Sequence, residues 1–596
     1  MVRRAVRLHF AAVRGNQTQR KLIKMQRKRQ SMDPRTFLAL AVLTANVLLA
    51  GCGGYAAIQA PAPLSPTSPT TQTTIADQIG VTNVSALYQY NKSESLLDEG
   101  RNRMASNSSE FGAGLGTHVM KLWLSSSYAT SYPNTTDWGT INSLSDLANS
   151  PPYTRAFNDP NFNTYILESF EFCQKTNIGT WGETLWKSAS FATDTTLQKC
   201  VHDQFYALTQ ALLTHYNNSG KTFVLQNWES DNALAPQNTR DFSPTPSASQ
   251  TCPATDTSAF CVAVRNMILW LQLRQQGVSD ARKATSYTNV TVAAAAEINQ
   301  VPGYNSSWTY PSTVDLVIPS LSMDLYSCSC YPPSVPGNEY ALFGMLDYLK
   351  SKRHDSAQYG SQNIYVGEFA THEQMFYSGN NWTETSSQQA RVANARQVEN
   401  ALRWGARWAI YWELYNNVGS ASSNAGFWLI RPPGGGSDGQ QPDMTQTWDY
   451  LQNIMGKDIG NYRYVYEAEN HFTAVIGGAA AETTDPSLSG GRGLWLSGAN
   501  AGSALTFDVY VPSSGSYKLT VDMQTGPAHG TFNVKLNSVQ AGSTYDTYSA
   551  TKGYQTYTVY TGNIPAGNTT IDLVVSGKNA SATGFDLVAD SIRIAP

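Results

Sequence analysis

Apolar segments with the length and composition of buried strands alternate with helical segments between about residues 80 and 456. Near-continuous apolar strands that alternate with helices are typical of a parallel sheet covered by helices. The predicted strands occupy residues 81–90, 118–124, 164–172, 222–229, 290–299, 314–321, 363–370 and 408–415. This succession predicts an α/β fold, a (β/α)8 TIM barrel, over residues 78–460.

A doubly wound sheet is the alternative for the same pattern. No Gly-rich phosphate loop supports it, and polar residues gather where the predicted strands end, as a barrel requires. Long helical segments precede several strands, and Gly220 and Gly277 are predicted to stop two of them.

The pattern changes after about residue 460. Helical periodicity disappears, and short segments alternate between apolar and polar residues, with turn signals such as "PSSGS" and "PAGN" between them. This alternation predicts an all-β sandwich of the jelly-roll kind over residues 461–596. The joining segment "GKDIGNYRY" is short, so we expect the two domains to pack together.

Residues 1–51 have the character of an export leader. A basic segment precedes the apolar run "FLALAVLTANVLLAGC", which is short for a membrane span. The end of that run, "LAGC", resembles a bacterial lipobox, which implies cleavage before Cys52 and a lipid on its sulfur. An uncleaved anchor helix is the alternative. Residues 52–77, rich in Pro, Ser and Thr, predict an extended linker.

These features predict an exported protein that is lipid-anchored at the bacterial cell envelope and touches the membrane only through Cys52. The net charge of −3 hides an acidic body, because residues 1–35 alone carry 11 bases and one acid. An acidic body argues against a nucleic-acid partner. Few charges and many Ser, Thr, Asn, Gly and Tyr residues suit an exported protein that binds polar ligands, and we expect a monomer.

Six cysteines follow the leader, an even number that permits three disulfides in an exported protein. Cys252 with Cys261 and Cys173 with Cys200 are plausible pairs, although fifteen connectivities are open. The remaining two lie in "SCSC" (327–330), where a bridge would be tight and a metal site is a weaker alternative.

Carboxylates occur where the predicted barrel strands end. A barrel's active site lies at these ends, and hydrolysis of a glycosidic bond needs two carboxyl groups there. One is a protonated acid for the leaving oxygen, and the other is a nucleophile or a base for water. The candidates are Glu229, Glu297, Glu368, Glu413 and Asp324.

The stretches "LQNWE", "YVGEFA" and "RWAIYWELYN" resemble the ends of strands 4, 7 and 8 in the clan A glycoside hydrolases, which are retaining TIM-barrel enzymes. The resemblance implies Glu229 as the acid/base and Glu368 as the nucleophile. It also implies that Trp412 floors the sugar site and that Tyr326, in "MDLYS", contacts the nucleophile. Glu297 and Glu413 are then predicted to be supporting groups.

One feature departs from that clan. The clan has Asn directly before the acid/base Glu, whereas Trp228 separates Asn227 from Glu229 here. On a regular strand Asn227 and Glu229 point to the same side, so Asn227 is predicted to reach a substrate hydroxyl. The departure leaves the exact family open.

The C-terminal domain contains "YVYEAENH", "SGGRGLWL", "KGYQTYTVYTGNIPAGNTTIDLVV" and "GFDLVADSIRIAP", which resemble carbohydrate-binding modules of families 6 and 35. The resemblance implies a structural Ca²⁺ held by Glu467, Glu469 and Asp590, whose oxygens suit a hard cation. It also implies that sugar stacks on Tyr557, with Trp495 as a second candidate.

The sequence therefore predicts a retaining glycoside hydrolase that acts on a polysaccharide or oligosaccharide, most simply a β-linked one, without a cofactor for catalysis. Two alternatives remain at this point: a non-catalytic surface glycan-binding lipoprotein, and a transglycosylase that uses the same residues. The sugar, the linkage and endo versus exo action are open.

Overall fold

The computed structural model describes residues 74–105, 113–173, 185–235, 245–377, 382–418, 426–433 and 443–596, together with residue 242 and the backbone of 178–179 and 182–183. The predicted leader, Cys52 with its predicted lipid, and nearly all of the predicted linker lie outside these residues. Within the described ranges, no helix combines the length and the apolar character needed to cross a membrane.

Eight parallel strands close into a barrel and confirm the predicted fold class. Going round the barrel, the order is β1-β8-β7-β6-β5-β4-β3-β2. The strands are β1 (Ile79–Thr82), β2 (Val119–Leu124), β3 (Thr164–Ser169), β4 (Thr222–Gln226), β5 (Thr291–Ile298), β6 (Leu325–Ser329), β7 (Ile364–Phe369) and β8 (Ala409–Tyr411).

Helices cover the outside of the barrel and cap its strands. The α-helices are α1 (Leu96–Met104), α2 (Tyr128–Ser131), α3 (Leu144–Ala148), α4 (Pro151–Asn158), α5 (Thr195–His215), α6 (Ser230–Leu234), α7 (Ala259–Ala284), α8 (Thr313–Leu316), α9 (Ala341–Lys352), α10 (Glu384–Trp404), α11 (Gln446–Ile454), α12 (Ile459–Tyr462) and α13 (Ala468–His471). Short 3₁₀ helices occupy Ile75–Asp77, Leu185–Lys187, Ile318–Ser320, Pro332–Ser334, Glu373–Phe376 and Ser489–Gly491. Short strand pairs join Ile178–Gly179 to Gly182–Glu183 and Ile430–Arg431 to Asp443–Met444.

Alternation along the strands divides the barrel core into two parts. Residues of one parity pack against the helices, and residues of the other parity fill the interior of the barrel, here called the lumen. Val119, Ile166 and Val224 belong to the apolar floor of the lumen. Two residues further along the same strands, the side chains become Lys121, Glu168 and Gln226. A polar layer therefore lies on an apolar floor.

The prediction of strand 6 is wrong in position. Residues 314–321 form α8 and a 3₁₀ turn, and the strand is Leu325–Ser329. Pro319 has no N–H to donate to a central strand, which excludes 314–321 from the sheet. The true strand carries Ser at alternate positions, so it lacks the apolar run that was used to find its neighbours.

Gly277 does not stop a helix as predicted, because α7 continues through it to Ala284. A Cβ at this position would lie 2.5 Å from the main-chain oxygen of His202 on α5. Glycine is present because the two long helices approach closely at this point. At the N-terminal end of the described residues, the 3₁₀ turn Ile75–Asp77 places Ile75 and Ala76 in the barrel core.

The C-terminal domain is an antiparallel sandwich of two sheets, as predicted. One sheet has the order β11-β12-β19-β14-β17, with β9 paired to β19, and the other has the order β10-β13-β18-β15-β16. The strands are β9 (Val465–Glu467), β10 (Phe472–Ile476), β11 (Ala479–Thr484), β12 (Arg492–Ser497), β13 (Ala504–Val511), β14 (Gly515–Thr525), β15 (Thr531–Leu536), β16 (Val539–Asp546), β17 (Gly553–Ile564), β18 (Gly567–Gly577) and β19 (Leu587–Ala595).

The sandwich packs on α10 of the barrel through buried charges. Glu399 accepts hydrogen bonds from Arg403 at 2.7 Å and from the His471 ring at 2.6 Å. Burial would raise the pKa of Glu399, but the charges of His471 and Arg403 hold it at about 2. The rings of Tyr340 and Tyr510 stack across the same contact. The two domains therefore share a desolvated interface, as the short joining segment suggested.

All three cysteine pairs considered in the sequence are disulfides in the structure. They are Cys173–Cys200, Cys252–Cys261 and Cys328–Cys330. The third bridge joins residues on either side of Ser329 in β6, at the end of the strand that faces the barrel mouth.

Gly277→Ala should lower the stability of the protein. Alanine gains up to about 1 kcal/mol of helix propensity over glycine, but a Cβ that meets the α5 backbone costs about 1–3 kcal/mol by overpacking. Thermal unfolding should show a net decrease in Tm for this variant. Gly456→Ala is the matched control, because a Cβ there has no neighbour within 4 Å; an equal Tm for both variants would contradict the close helix contact.

Candidate active site

A β-bulge in β7 turns Glu368 into the lumen. Tyr365 faces the lumen and Val366 faces the helices, so regular alternation would place the residue at 368 outside. The register with β6 advances by one residue, from Cys328 to Ser329, while β7 advances by two, from Val366 to Glu368. The register with β8 shifts at the same place. The extra residue re-aims the carboxylate.

Gly367 is the residue that the bulge inserts. A Cβ there would lie 2.0 Å from Oε2 of Glu297 and 2.0 Å from Oγ of Ser327, both of which belong to the polar layer. Any larger residue would displace that layer, so the "GE" of "YVGEFA" is a packing requirement as well as a sequence motif.

Glu229 reaches the lumen through an unusual backbone conformation rather than through a bulge. β4 ends at Gln226, and Glu229 follows with φ 25° and ψ 76° at the start of α6. A positive φ is uncommon for a residue with a side chain, and it is retained only where the surroundings fix it. Here the backbone N–H of Glu229 donates to Oε1 of Glu297 at 3.2 Å. Asn232 and Asn299 donate to its Oε2.

One hydroxyl joins the two predicted catalytic carboxyl groups. Oγ of Ser329 lies 2.6 Å from Oε1 of Glu229 and 3.1 Å from Oε2 of Glu368. The two oxygens are no further apart than the sum of these distances. That limit is close to the roughly 5–5.5 Å between the carboxyl groups of retaining glycosidases and below the roughly 6.5–9.5 Å of inverting ones. Both groups are almost wholly buried.

One buried ammonium, that of Lys121, lies beside Glu368 and a group of neighbouring acids. Nζ of Lys121 lies 2.6 Å from Oε1 of Glu168 and 2.7 Å from Oε1 of Glu368. Oxygens of Glu168, Glu297 and Glu368 all lie within 4.8 Å of one another. Such a group resembles a metal site in its donors, but the ammonium of Lys121 already supplies the positive charge at its centre. Tyr331 donates a further hydrogen bond to Glu368 at 3.2 Å.

Burial and mutual repulsion raise the pKa values of these acids. Burial is the main cause for Glu229, whose pKa lies well above its usual range, and the charge of Glu368 adds to it. Burial also raises the pKa of Glu168 to about 8 and that of Glu297 to about 7, despite the opposing charge of Lys121. Burial alone would lower the pKa of Lys121, but the surrounding carboxylates raise it well above the usual value.

Asn227 does not face the substrate space as predicted. Its side chain accepts a hydrogen bond from the backbone N–H of Glu297 at 3.0 Å and donates to Oγ of Ser230 at 3.0 Å. The strand has ended at Gln226, so the expectation that Asn227 and Glu229 share a side does not hold. Asn227 fixes the end of β4 against β5.

Tyr326 does not contact Glu368, which corrects the role predicted for it. It lies inside β6 with its side chain among the helix-facing residues, and its hydroxyl donates to the main-chain oxygen of Leu321 at 2.7 Å. The tyrosine that contacts Glu368 is Tyr331, beyond the end of the strand. The incorrect position of predicted strand 6 explains the difference, because a strand at 314–321 puts Tyr326 beyond its end, whereas Tyr326 lies within Leu325–Ser329.

Trp412 lies at the mouth of the barrel, with Nζ of Lys121 5.6 Å from its ring centroid. Glu413 is wholly buried, and burial raises its pKa well above the usual range. Asp324 lies away from the pair and forms an ion pair with Arg282 at 2.9 Å.

The predicted sugar platform of the sandwich needs a correction. Tyr557 is only 6% exposed and packs edge-on against Phe532 in the sandwich core, so its face is not available to a sugar. Trp495 is 40% exposed on β12. Tyr554 is 43% exposed. Backbone pairing through β19 and β14 places Trp495 and Tyr554 in one row across the sheet.

The three predicted calcium ligands lie together where β9 meets β19. Ser489 donates to Glu467 through Oγ at 2.9 Å and to Asp590 through its backbone N–H at 2.6 Å. Buried Oε2 atoms of Glu467 and Glu469 have no hydrogen-bond partner among the described residues. Burial raises the pKa of Glu469 to about 8 and that of Asp590 to about 6, and it raises the pKa of Glu467 well above its usual range. Crowded acids with unused oxygens fit a hard cation.

Several site residues were not found from the sequence. Lys121 and Glu168 each interrupt a predicted apolar strand, and a charged residue inside a buried strand is a signal that was available. The sequence gives no such indication for Ser329 and Tyr331. Their contacts with the carboxyl groups depend on the position of β6 and on the bulge in β7.

Comparison with known proteins identifies the C-terminal part. Residues 467–589 match the family model described as carbohydrate binding module (family 6). The C-terminal domain is therefore similar to carbohydrate-binding modules, and this similarity supports a polysaccharide partner.

Solved structures with similar parts are known. A Paenibacillus xanthan lyase is 22% identical over 22% of this chain and 13% of its own, with a TM-score of 0.21. A family 35 carbohydrate binding module from Clostridium thermocellum is 25% identical over 22% of this chain and 98% of its own, with a TM-score of 0.17. The Podospora anserina GH26-CBM35 β-(1,4)-mannanase is 20% identical over 22% of this chain and 27% of its own, with a TM-score of 0.17. No curated protein matches the chain.

The buried acids of the lumen predict that stability falls as pH rises from about 5 to 8. In this range Glu168 and Glu297 still bind protons in the folded protein, because their pKa values are about 8 and about 7. The unfolded chain has already released those protons, so each group costs up to about 1.4 kcal/mol per pH unit as pH rises. Thermal unfolding across this range should show Tm decreasing. Glu297→Gln should flatten the slope, and an unchanged slope in that variant would contradict the assignment.

Proposed function

We propose that the protein is a retaining glycoside hydrolase related to clan A, with Glu229 as the acid/base and Glu368 as the nucleophile. The observation that carries the proposal is the hydroxyl of Ser329, which contacts both carboxyl groups at 2.6 and 3.1 Å. Two buried carboxyl groups so close together, at the ends of β4 and β7, match the requirement of double displacement.

In the first step a carboxylate oxygen of Glu368 attacks the anomeric carbon, while Glu229 donates its proton to the leaving glycosidic oxygen. The carbon–oxygen bond to the leaving group breaks, and a glycosyl ester forms on Glu368. In the second step Glu229 removes a proton from water, and the resulting hydroxyl attacks the same carbon. Glu368 leaves as a carboxylate, and Glu229 is again protonated.

The proton distribution of the pair supports these roles. The hydroxyl of Ser329 carries one proton, so it donates to only one carboxylate at a time. If Glu229 is protonated, it donates to Oγ of Ser329, which then donates to Glu368. The raised pKa of Glu229 favours this state near neutral pH.

The same electrostatics allow Glu229 to change its role. The charge of Glu368 is the second cause of the raised pKa of Glu229. Formation of the glycosyl ester removes that charge, so the pKa of Glu229 falls and its carboxylate becomes available as a base. Lys121 and Tyr331 hold Glu368 in place before attack.

We further propose a polysaccharide substrate, with β-linked chains as the first class to test. The carbohydrate-binding module supports a polymeric ligand, and Trp495 is the exposed aromatic residue predicted to stack on it. A module joined to the barrel raises the effective concentration of polymer near the mouth. The lipid anchor at Cys52 and a location at the cell envelope belong to the same proposal, and they rest on the sequence alone.

The module's three acids are proposed to hold a structural Ca²⁺. Glu467, Glu469 and Asp590 would supply carboxylate oxygens, and the cation would compensate their crowded charges. No catalytic step depends on this ion.

Glu229→Gln and Glu368→Gln should each abolish most of the activity on a panel of β-linked polysaccharides. Loss of a general acid/base costs about 10²–10⁴-fold in kcat, and loss of the nucleophile costs at least as much. Reducing-end release and the anomeric configuration of the first product are the measurements, with retention expected.

Asp203→Asn on the surface of α5 is the control variant and should keep full activity. Full activity in both Glu variants would refute the assignment. A wild-type protein that binds the panel but cleaves none of it would favour a non-catalytic glycan-binding protein.

Calcium should raise the Tm of the full chain, and EDTA should lower it. A ligand present at 100 times its Kd stabilises the folded state by about 2.7 kcal/mol. Asp590→Asn should remove the response to calcium, whereas Asp572→Asn, on the opposite sheet, should keep it. Identical Tm values with calcium and with EDTA would exclude the proposed ion site.

A further inference from the structure

The Cys328–Cys330 disulfide flanks the residue that joins the two carboxyl groups. In β6 and just beyond it, Ser327, Ser329 and Tyr331 point toward the acids of the lumen. Cys328 and Cys330 have the opposite parity, belong to the helix-facing core and are bonded to each other. The disulfide therefore lies on the helix-facing side of β6, directly behind the hydroxyl of Ser329.

The bridge coincides with a contraction of the strand. The Cα atoms of Cys328 and Cys330 are 5.2 Å apart, whereas two residues of regular strand advance about 6.7 Å. The register between β6 and β7 shifts between Cys328 and Ser329, where the bulge in β7 lies. The two strands thus depart from regular geometry at the same level.

Glu368 is tied to this contracted segment at three points. The backbone N–H of Cys330 donates to the main-chain oxygen of Glu368 at 2.8 Å. Oγ of Ser329 and the hydroxyl of Tyr331 both contact its Oε2, at 3.1 and 3.2 Å. The segment 328–331 therefore fixes both the backbone and the side chain of Glu368.

We propose that Ser329 is a positioning residue that sets the separation of Glu229 and Glu368, and that the Cys328–Cys330 disulfide holds its hydroxyl in place. This inference rests on the proposed hydrolase function. Ser329 contacts the two carboxyl groups, and the bridge acts through Ser329 and the backbone beside it.

The short side chain of Ser329 limits how far its hydroxyl can reach. A serine hydroxyl lies one carbon from the backbone, so it contacts both carboxyl groups only if its Cα stays within a narrow range. Without the bridge the segment is free to relax toward regular strand spacing, by an amount on the order of 1 Å. A misplacement of that size in a catalytic arrangement costs about 10²-fold in rate.

Ser329→Ala tests the first half of the proposal. We expect kcat to fall by about 10- to 100-fold with KM little changed, because the residue orients the reacting carboxyl groups rather than the sugar. Ser329→Thr keeps the hydroxyl and should restore most of the kcat. Thermal unfolding of each variant separates this effect from loss of folding. A Ser329→Ala variant with wild-type kcat, or an equal loss in the alanine and threonine variants, would overturn the role.

The second half is tested by removing the bridge with Cys328→Ala/Cys330→Ala. This variant should lose about tenfold or more in kcat, whereas Cys252→Ala/Cys261→Ala, which removes a disulfide away from the pair, should not. Adding Ser329→Ala to the bridge-free variant should cost little more, because the two changes act through one hydroxyl. If the fold-losses in kcat from removing the bridge and from Ser329→Ala multiply in the combined variant, the bridge does not act through Ser329.

These outcomes are separable from failure of the proposed function. If wild-type protein cleaves no polysaccharide of the panel, the hydrolase assignment fails. If wild-type protein is active, and Glu229→Gln and Glu368→Gln abolish that activity, only the Ser329 and cysteine variants decide the present inference.

Discussion

The arrangement of the barrel mouth depends on one buried ammonium. Lys121 forms ion pairs with Glu168 and Glu368, two of three acids whose oxygens lie within 4.8 Å of one another. Without it, burial and the repulsion of like charges would raise the pKa values of Glu168 and Glu297 further, because the charge of Lys121 opposes both causes. With it, Glu368 has a charged partner while Glu229, which Lys121 does not contact, has a strongly raised pKa. A single positive charge thus gives two similar side chains different chemistry.

The sequence pattern predicts the barrel and places Glu229 and Glu368 near strand ends, because strand order and strand ends follow from apolar periodicity. It was insufficient for the details that aim the side chains. Glu368 enters the lumen through a bulge at Gly367, and Glu229 enters through a positive φ. Both features depend on how the strands pack against each other in the folded barrel, so they cannot be predicted from the alternation of apolar and polar residues along one strand.

Two misassigned residues show the same limit. The apolar run 314–321 predicts a strand that ends before Tyr326, although Pro319 argues against a central strand there. The motif around Tyr557 predicts a surface platform, but the position of Tyr557 in β17 turns its side chain into the sandwich core. In each case a tyrosine suits the predicted role, but its side chain lies on the core-facing side of its strand.

The interface between the domains has a consequence for how the protein can be divided. Glu399 and Arg403 belong to the barrel, and His471 belongs to the module, yet their hydrogen bonds form one buried network. Separation of the chain near residue 462 would expose Glu399, still paired with Arg403, to water and would leave His471 without its carboxylate partner. The C-terminal domain is therefore not structurally independent of the barrel, and its removal would change the charge environment and the hydration of the barrel surface around Glu399.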